Sequence, residues 1–233
     1  MGTSAKEPRS HIPEGISFDE LGDDDAGIFM EGTGDVLIIT FGGLKHGIGI
    51  PAFEFRKFLS GFPVTRGYLR DHAQTWYHDG VRGAGASMAD VTSYLKDLMG
   101  GYRKTIFAGN SMGGFAALYF GAHAGANKIL AFAPQTFIGP ARRLRHGDFR
   151  WYRQLSETHL RHGLRLHVFD IANLNLENAE IYAGADSRLD CIHAERLSGT
   201  GAQITIVPET KHGLVRDLKK SGELVRIFTS AIG

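Results

Sequence analysis

Short unbroken apolar runs recur along the chain, separated by stretches whose apolar residues fall three or four apart. The clearest run is Asp35-Val-Leu-Ile-Ile-Thr-Phe41, which reads as a strand buried on both faces. Further strands are expected over Pro63–Leu69, from 104 into the turn near Ser111, over Asn127–Ala133, Glu180–Ala183 and Gln203–Val207, with a weakly alternating extra one over Leu164–Phe169. Two short apolar stretches, 16–19 and 27–30, flank Gly22-Asp23-Asp24-Asp25, the turn expected of a hairpin. Helical spacing covers Pro51–Leu59, with Phe55, Phe58 and Leu59 on one face. A second helix is expected over 88–99, with Ser87 as its N-cap and Val91, Leu95, Leu98 and Met99 inward. Others run from the turn at Ser111 to residue 124, lie within 135–163 (one or two), span 188–198, and close the chain over 213–230 with an interruption at Gly222. Strands alternating with helices predict an α/β protein: a three-layer sandwich around a mostly parallel sheet.

A length of 233 residues suits one such domain, expected over 15–233 after a flexible polar tail over 1–14. A net charge of +1 offers no electrostatic case for nucleic acid or an anionic membrane surface. Met1–Gly15 lacks the apolar segment of a secretory signal, and no run approaches the ~20 apolar residues of a membrane span. The single cysteine, Cys191, rules out an intramolecular disulfide and suits a reducing cytoplasm, the expected compartment.

The chemistry concentrates at Lys104-Thr-Ile-Phe-Ala-Gly-Asn-Ser-Met-Gly-Gly114. Gly109-Asn110-Ser111-Met112-Gly113 is a G-x-S-x-G pattern set between an apolar run and a small-residue helix. Small residues two before and two after the serine let strand and helix approach closely, and the turn holds the hydroxyl above the sheet. With 31 glycines in the chain the pattern alone means little, so its weight comes from partner residues elsewhere in the chain. The alternative, a nucleotide-binding strand–helix turn, lacks both G-x-G-x-x-G and the P-loop lysine pattern here. A serine nucleophile needs a base, and the base needs an orienting acid. Gly184-Ala185-Asp186 comes after the strand at 180–183, and Pro208-Glu-Thr-Lys-His212 after the last strand. Serine, acid and histidine thus appear in that order at the carboxyl ends of strands, where open parallel sheets place their sites.

These motifs make the chain resemble the α/β-hydrolase fold superfamily over roughly residues 35–231, and, less specifically, a group of small bacterial hydrolases of uncharacterised type. The resemblance implies Ser111 as nucleophile, His212 as base and Asp186 as acid, with Asp190 as the rival acid. It implies an oxyanion hole from the N–H groups of Met112 and Gly43, Leu44 being the alternative to Gly43. Phe41-Gly42 stands where His-Gly is common in the family, and the segment from Pro134 to Glu180 has room only for a compact cap. The implied activity is hydrolysis of an acyl bond, a carboxylic ester first, through an acyl-enzyme and without a cofactor. The alternatives are a thioesterase or acyltransferase of a biosynthetic pathway, and a binding protein that does not cleave.

Gly42, His46, Trp76, Tyr77, Asn110 and Phe137 are the expected substrate-binding residues; His72 and His78 share their loops, and loop packing explains these side chains equally well. Phe132, Phe149, Trp151 and Tyr152 read with Phe137 as a cap, partly core and partly acyl pocket. Arg142, Arg143, Arg145, Arg150 and Arg153 read as a solvated helix face, with docking of an acidic carrier protein as the lesser reading. With no His-x-His, no His-Glu-x-x-His and one cysteine, no metal site is expected.

Overall fold

The computed structural model describes residues 27–44, 53–163 and 170–233. Its centre is a seven-stranded sheet of β1 (Ile28–Glu31), β2 (Val36–Phe41), β3 (Thr65–Leu69), β4 (Lys104–Asn110), β5 (Lys128–Phe132), β6 (Ala179–Gly184) and β7 (Gln203–Val207), in the order β1-β3-β2-β4-β5-β6-β7. Only β1 runs antiparallel to its neighbour, pairing Ile28 with Leu69 and Glu31 with Arg66; every other pairing is parallel.

All six residues of β2 are buried, as its unbroken apolar run requires, and alternate side chains feed two cores. Leu37, Ile39 and Phe41 pack with Phe107 beneath α2 (Met88–Met99) and α3 (Met112–Ala124). Val36 and Ile38 pack with Ile106, Leu130 and Phe132 beneath α7 (Leu214–Lys220) and α8 (Glu223–Ile232). The three expected layers are present. Ser87 caps α2 by accepting the Asp90 N–H at 3.2 Å, and Gly222, at φ 79°, separates α7 from α8.

The helix expected over Pro51–Leu59 is reduced, among the described residues, to α1 (Arg56–Leu59), preceded by Phe55 at φ 66°. Phe53 and Phe55 are buried by an irregular segment that imitates helical spacing. The hairpin turn at 22–25, His46 and the extra strand over Leu164–Phe169 lie outside the described residues. α4 (Pro140–His146) and α5 (Tyr152–His162) are the two helices within 135–163, and α6 (Arg188–Glu195) comes after β6. Among the described residues no helix is long and apolar enough to cross a membrane.

Candidate active site

Ser111 occupies the junction of β4 and α3 at φ 56°, ψ −116°, a left-handed conformation that costs a residue with a Cβ of order 1–3 kcal/mol. Backbone contacts hold it there. Its N–H donates to Phe132 O at 2.9 Å, and its carbonyl accepts from Phe115 N at 3.1 Å and Gln135 N at 3.2 Å. A Cβ on Gly109 would fall 2.1 Å from Gly113 O, and one on Gly113 2.0 Å from Phe41 O. The two glycines therefore let β2, β4 and α3 meet backbone to backbone beside the serine. Gly113→Ala is expected to cost at least 1–3 kcal/mol, because the obstructing atom is backbone and cannot swing aside. Urea unfolding reads this as a lower midpoint; Gly101→Ala, with open space around its Cβ, should leave the midpoint nearly unchanged.

His212 lies just beyond β7. Its Nδ1 is 2.9 Å from Asp190 Oδ2, so Nδ1 carries the proton to the carboxylate and Nε2 is left as the basic nitrogen. Asp190, not the expected Asp186, is thus the carboxylate on His212. Asp190 is buried on the first turn of α6, whereas Asp186 is exposed in the turn before it. Asp186 still serves the histidine's loop through its backbone: its N–H donates to Thr210 O at 2.9 Å. Gly184 permits that approach, since a Cβ there would sit 2.4 Å from the same oxygen.

The second oxygen of Asp190 accepts from Arg150 Nη1 at 2.7 Å. Arg150 also bonds Asp148 through Nε at 3.0 Å and Nη2 at 3.2 Å, and Arg143 Nη1 adds a bond to Asp148 Oδ2 at 3.3 Å. His193 completes the cluster. Its Nδ1 accepts the Thr136 N–H at 3.0 Å, so Nε2 carries the proton that goes to Asp148 Oδ2, also at 3.0 Å. Burial lowers the pKa of His193 and keeps the ring neutral, against the pull of Asp148. Burial opposes ionisation of Asp148 as well, but the bonds from His193 and Arg150 and the charges of both arginines outweigh it and hold the carboxyl well below its usual range. For Asp190, burial is likewise overcome by the bond and charge of His212, with smaller help from Ser187 and Arg150.

The arginine segment is therefore not a solvated face throughout. Arg143 and Arg150 are built into this cluster, and Arg142 pairs with Asp170 at 2.9 Å. Sequence reading missed Asp148 and Arg150 as functional groups; the available signal was an aspartate set among arginines in Arg145-His-Gly-Asp-Phe-Arg150.

The residues expected to bind substrate divide. Asn110 lines a cleft of about 830 Å³ together with His212, Glu54 and the apolar side chains of Phe53, Phe55, Phe58, Val215 and Leu224. Trp76 and Tyr77 are wholly buried and brace the site from behind. Trp76 Nε1 donates to Gln135 Oε1 at 3.0 Å, and the Tyr77 hydroxyl donates to Gly42 O at 2.9 Å. Asp71 anchors this brace by accepting the N–H groups of Thr75 and Tyr77 at 2.7 and 2.8 Å. Gly42 is buried in the same backbone network, its N–H donating to Leu69 O. Phe137 stacks on the ring of His193 at 3.9 Å. Phe149 and Tyr152, read as cap or pocket, are exposed. Gly43, the expected donor, has its N–H on Glu54 Oε1 at 3.3 Å. Glu54 escaped the sequence reading; a lone carboxylate between two buried phenylalanines was its signal.

Neither a family model nor a curated protein matches the sequence. Solved structures do match in shape. The capsule O-acetyltransferase of Neisseria meningitidis serogroup A superposes with a TM-score of 0.62 at 14% identity, over 85% of this chain and 90% of that one. MenH from S. aureus gives 0.54 at 12% identity, over 89% and 99%. MGS-M2, an α/β-hydrolase enzyme from a Medee basin deep-sea metagenome library, gives 0.51 at 12%, over 83% and 90%. With its parallel sheet, β4–α3 elbow and shape match to such structures, the chain has the α/β-hydrolase fold.

Proposed function

We propose that the protein is a serine hydrolase that cleaves an acyl bond, most readily a carboxylic ester. The observation that carries this reading is His212, paired with Asp190 at 2.9 Å and lining the same cleft as Asn110, the residue before the strained Ser111. In this reading Ser111 Oγ attacks the acyl carbonyl and His212 Nε2 takes its proton. Asp190 holds the imidazole's tautomer and stabilises its charged form. The N–H groups of Met112 and Gly43 receive the oxyanion. His212 then protonates the leaving group, and water, activated by the same nitrogen, releases the acid. The phenylalanine-lined cleft suits an apolar acyl group.

A fluorophosphonate probe tests the reading: it should label the protein at Ser111, as peptide mass spectrometry would locate. Failure to label protein that hydrolyses esters, or labelling elsewhere, would refute it. Acyl transfer is the second reading, favoured by the shape match to the meningococcal O-acetyltransferase, one structure of which holds CoA. It predicts that acetyl-CoA consumption accelerates when a hydroxyl acceptor is added. Within the arginine segment, Arg143 and Arg150 are committed to Asp148 and Asp190, so docking of an acidic carrier there would fall to the others.

A further inference from the structure

Glu54 brings a carboxyl group to the cleft that Asn110 and His212 line. Its Oε1 lies 3.3 Å from Gly43 N, and a Cβ on Gly43 would sit 2.9 Å from that oxygen and 3.2 Å from Asn110 O. Carboxyl, Gly43 and the residue before the serine therefore converge on one spot. The position of Glu54 is fixed by its surroundings. Its carbonyl accepts the Thr40 hydroxyl at 3.2 Å, and its neighbours Phe53 and Phe55 are buried against Tyr68 and Phe132. A carboxylate oxygen accepting a backbone N–H has the charge and the acceptor geometry of a tetrahedral oxyanion.

We propose that Glu54 gates the Gly43 donor: as a carboxylate it occupies the N–H, and as the neutral acid it yields the N–H to the carbonyl oxygen of an acyl substrate. The inference rests on the proposed reading that Ser111 attacks an acyl group whose oxygen Gly43 receives. The ionised form excludes the oxyanion twice over, by holding its donor and by placing a like charge beside it. The neutral acid is a weaker acceptor, and the bond it keeps is long enough to exchange readily. Burial pushes the Glu54 carboxyl up to about 7, against the opposing Gly43 bond, so the gate turns over near neutral pH.

Several charged or titratable groups lie on the elements around Glu54. Tyr77, from the loop after β3, is buried and kept neutral by that burial. Glu31 of β1 lies 3.6 Å from Arg56 and 3.5 Å from Arg66. The same cleft is bordered by Arg56 and Lys57 of α1, Arg216 and Lys219 of α7, and His212. His212 supplies the base in the same cleft, and the gate shapes the alkaline side of the profile.

The test compares kcat/KM for a short-chain p-nitrophenyl ester, between pH 5.5 and 9.5, in wild type and Glu54→Gln. Wild type should give a bell whose alkaline limb falls toward tenfold per pH unit, reaching roughly 100-fold below its maximum at pH 9. Glu54→Gln, which keeps the shape but cannot ionise, should lose that limb and exceed wild type at pH 9 by tens of fold. Coincident alkaline limbs in the two proteins, or a wild-type profile flat above pH 7, overturn the proposal. Should the variant fold poorly, the rate of fluorophosphonate labelling of wild-type Ser111 over the same pH range carries the test: an alkaline fall centred near 7 supports the gate and a flat rate overturns it. The underlying hydrolase reading fails differently, by absence of labelling at Ser111 at every pH.

Discussion

Asp190→Asn is expected to lower kcat for ester hydrolysis by about 10⁴-fold, while Asp186→Asn stays within about twofold of wild type. The contrast comes from geometry. Asp190 Oδ2 is the acceptor for His212 Nδ1, whereas Asp186 is exposed and contributes through its backbone N–H, which asparagine retains. An amide at position 190 can turn its NH₂ toward the ring and favour the tautomer that carries its proton on Nε2, leaving no base for Ser111. The three residues should act as a unit: Ser111→Ala or His212→Ala alone should remove about as much activity as the triple variant. Steady-state kinetics on short-chain p-nitrophenyl esters, with thermal melts to confirm folding, measure both points. A crippled Asp186→Asn beside a normal Asp190→Asn would reverse the assignment.

Asp148→Asn is expected to be the most damaging of the polar substitutions for stability, at about 3–5 kcal/mol. Its carboxylate is completely buried between Arg143, Arg150 and His193, so neutralising it leaves the buried Arg143 guanidinium without its counter-charge and leaves Arg150 with Asp190 alone. The same network sets a pH response. The folded-state pKa values of Asp148 and Asp190 both lie below their ordinary values. Each therefore contributes stability that is present above about pH 4 and is lost as pH falls from there toward the folded-state value. Denaturant midpoints should drop steeply below pH 4 in wild type and less steeply in Asp148→Asn. Parallel acid limbs would remove Asp148 as the cause.

The parts legible in the sequence are those whose burial is decided locally. The runs at Val36–Phe41 and in β4 and β5 are mostly apolar because both faces are covered, so their strands and the parallel sheet could be read directly. Ser87 and Gly222 mark helix boundaries by their own backbone chemistry. The elbow was legible for the same reason, its glycines being demanded by contacts within a few residues and with β2. What stayed hidden depends on direction. Asp186 and Asp190 are four residues apart after one strand, and only the start of α6 between them decides which faces His212. Arg150 could not be told from its exposed neighbours, because its partners Asp148 and Asp190 meet only when the segment after β5 folds back on α6. Trp76 and Tyr77 sit in a loop for which substrate binding and loop packing read equally well from the sequence, and both turn inward.

Arg150 also bears on how this fold can diversify. It belongs to the stretch between β5 and β6, yet one of its bonds ends on the carboxylate that orients His212. Under the proposed hydrolase reading, this segment is therefore not an exchangeable part that trades one acyl preference for another while the chemistry beneath runs unchanged. A transplanted segment would have to bring its own cation to the same point in space. Without one, the histidine would work beside a more basic aspartate, and a change meant for selectivity would reappear as a change in rate and in working pH.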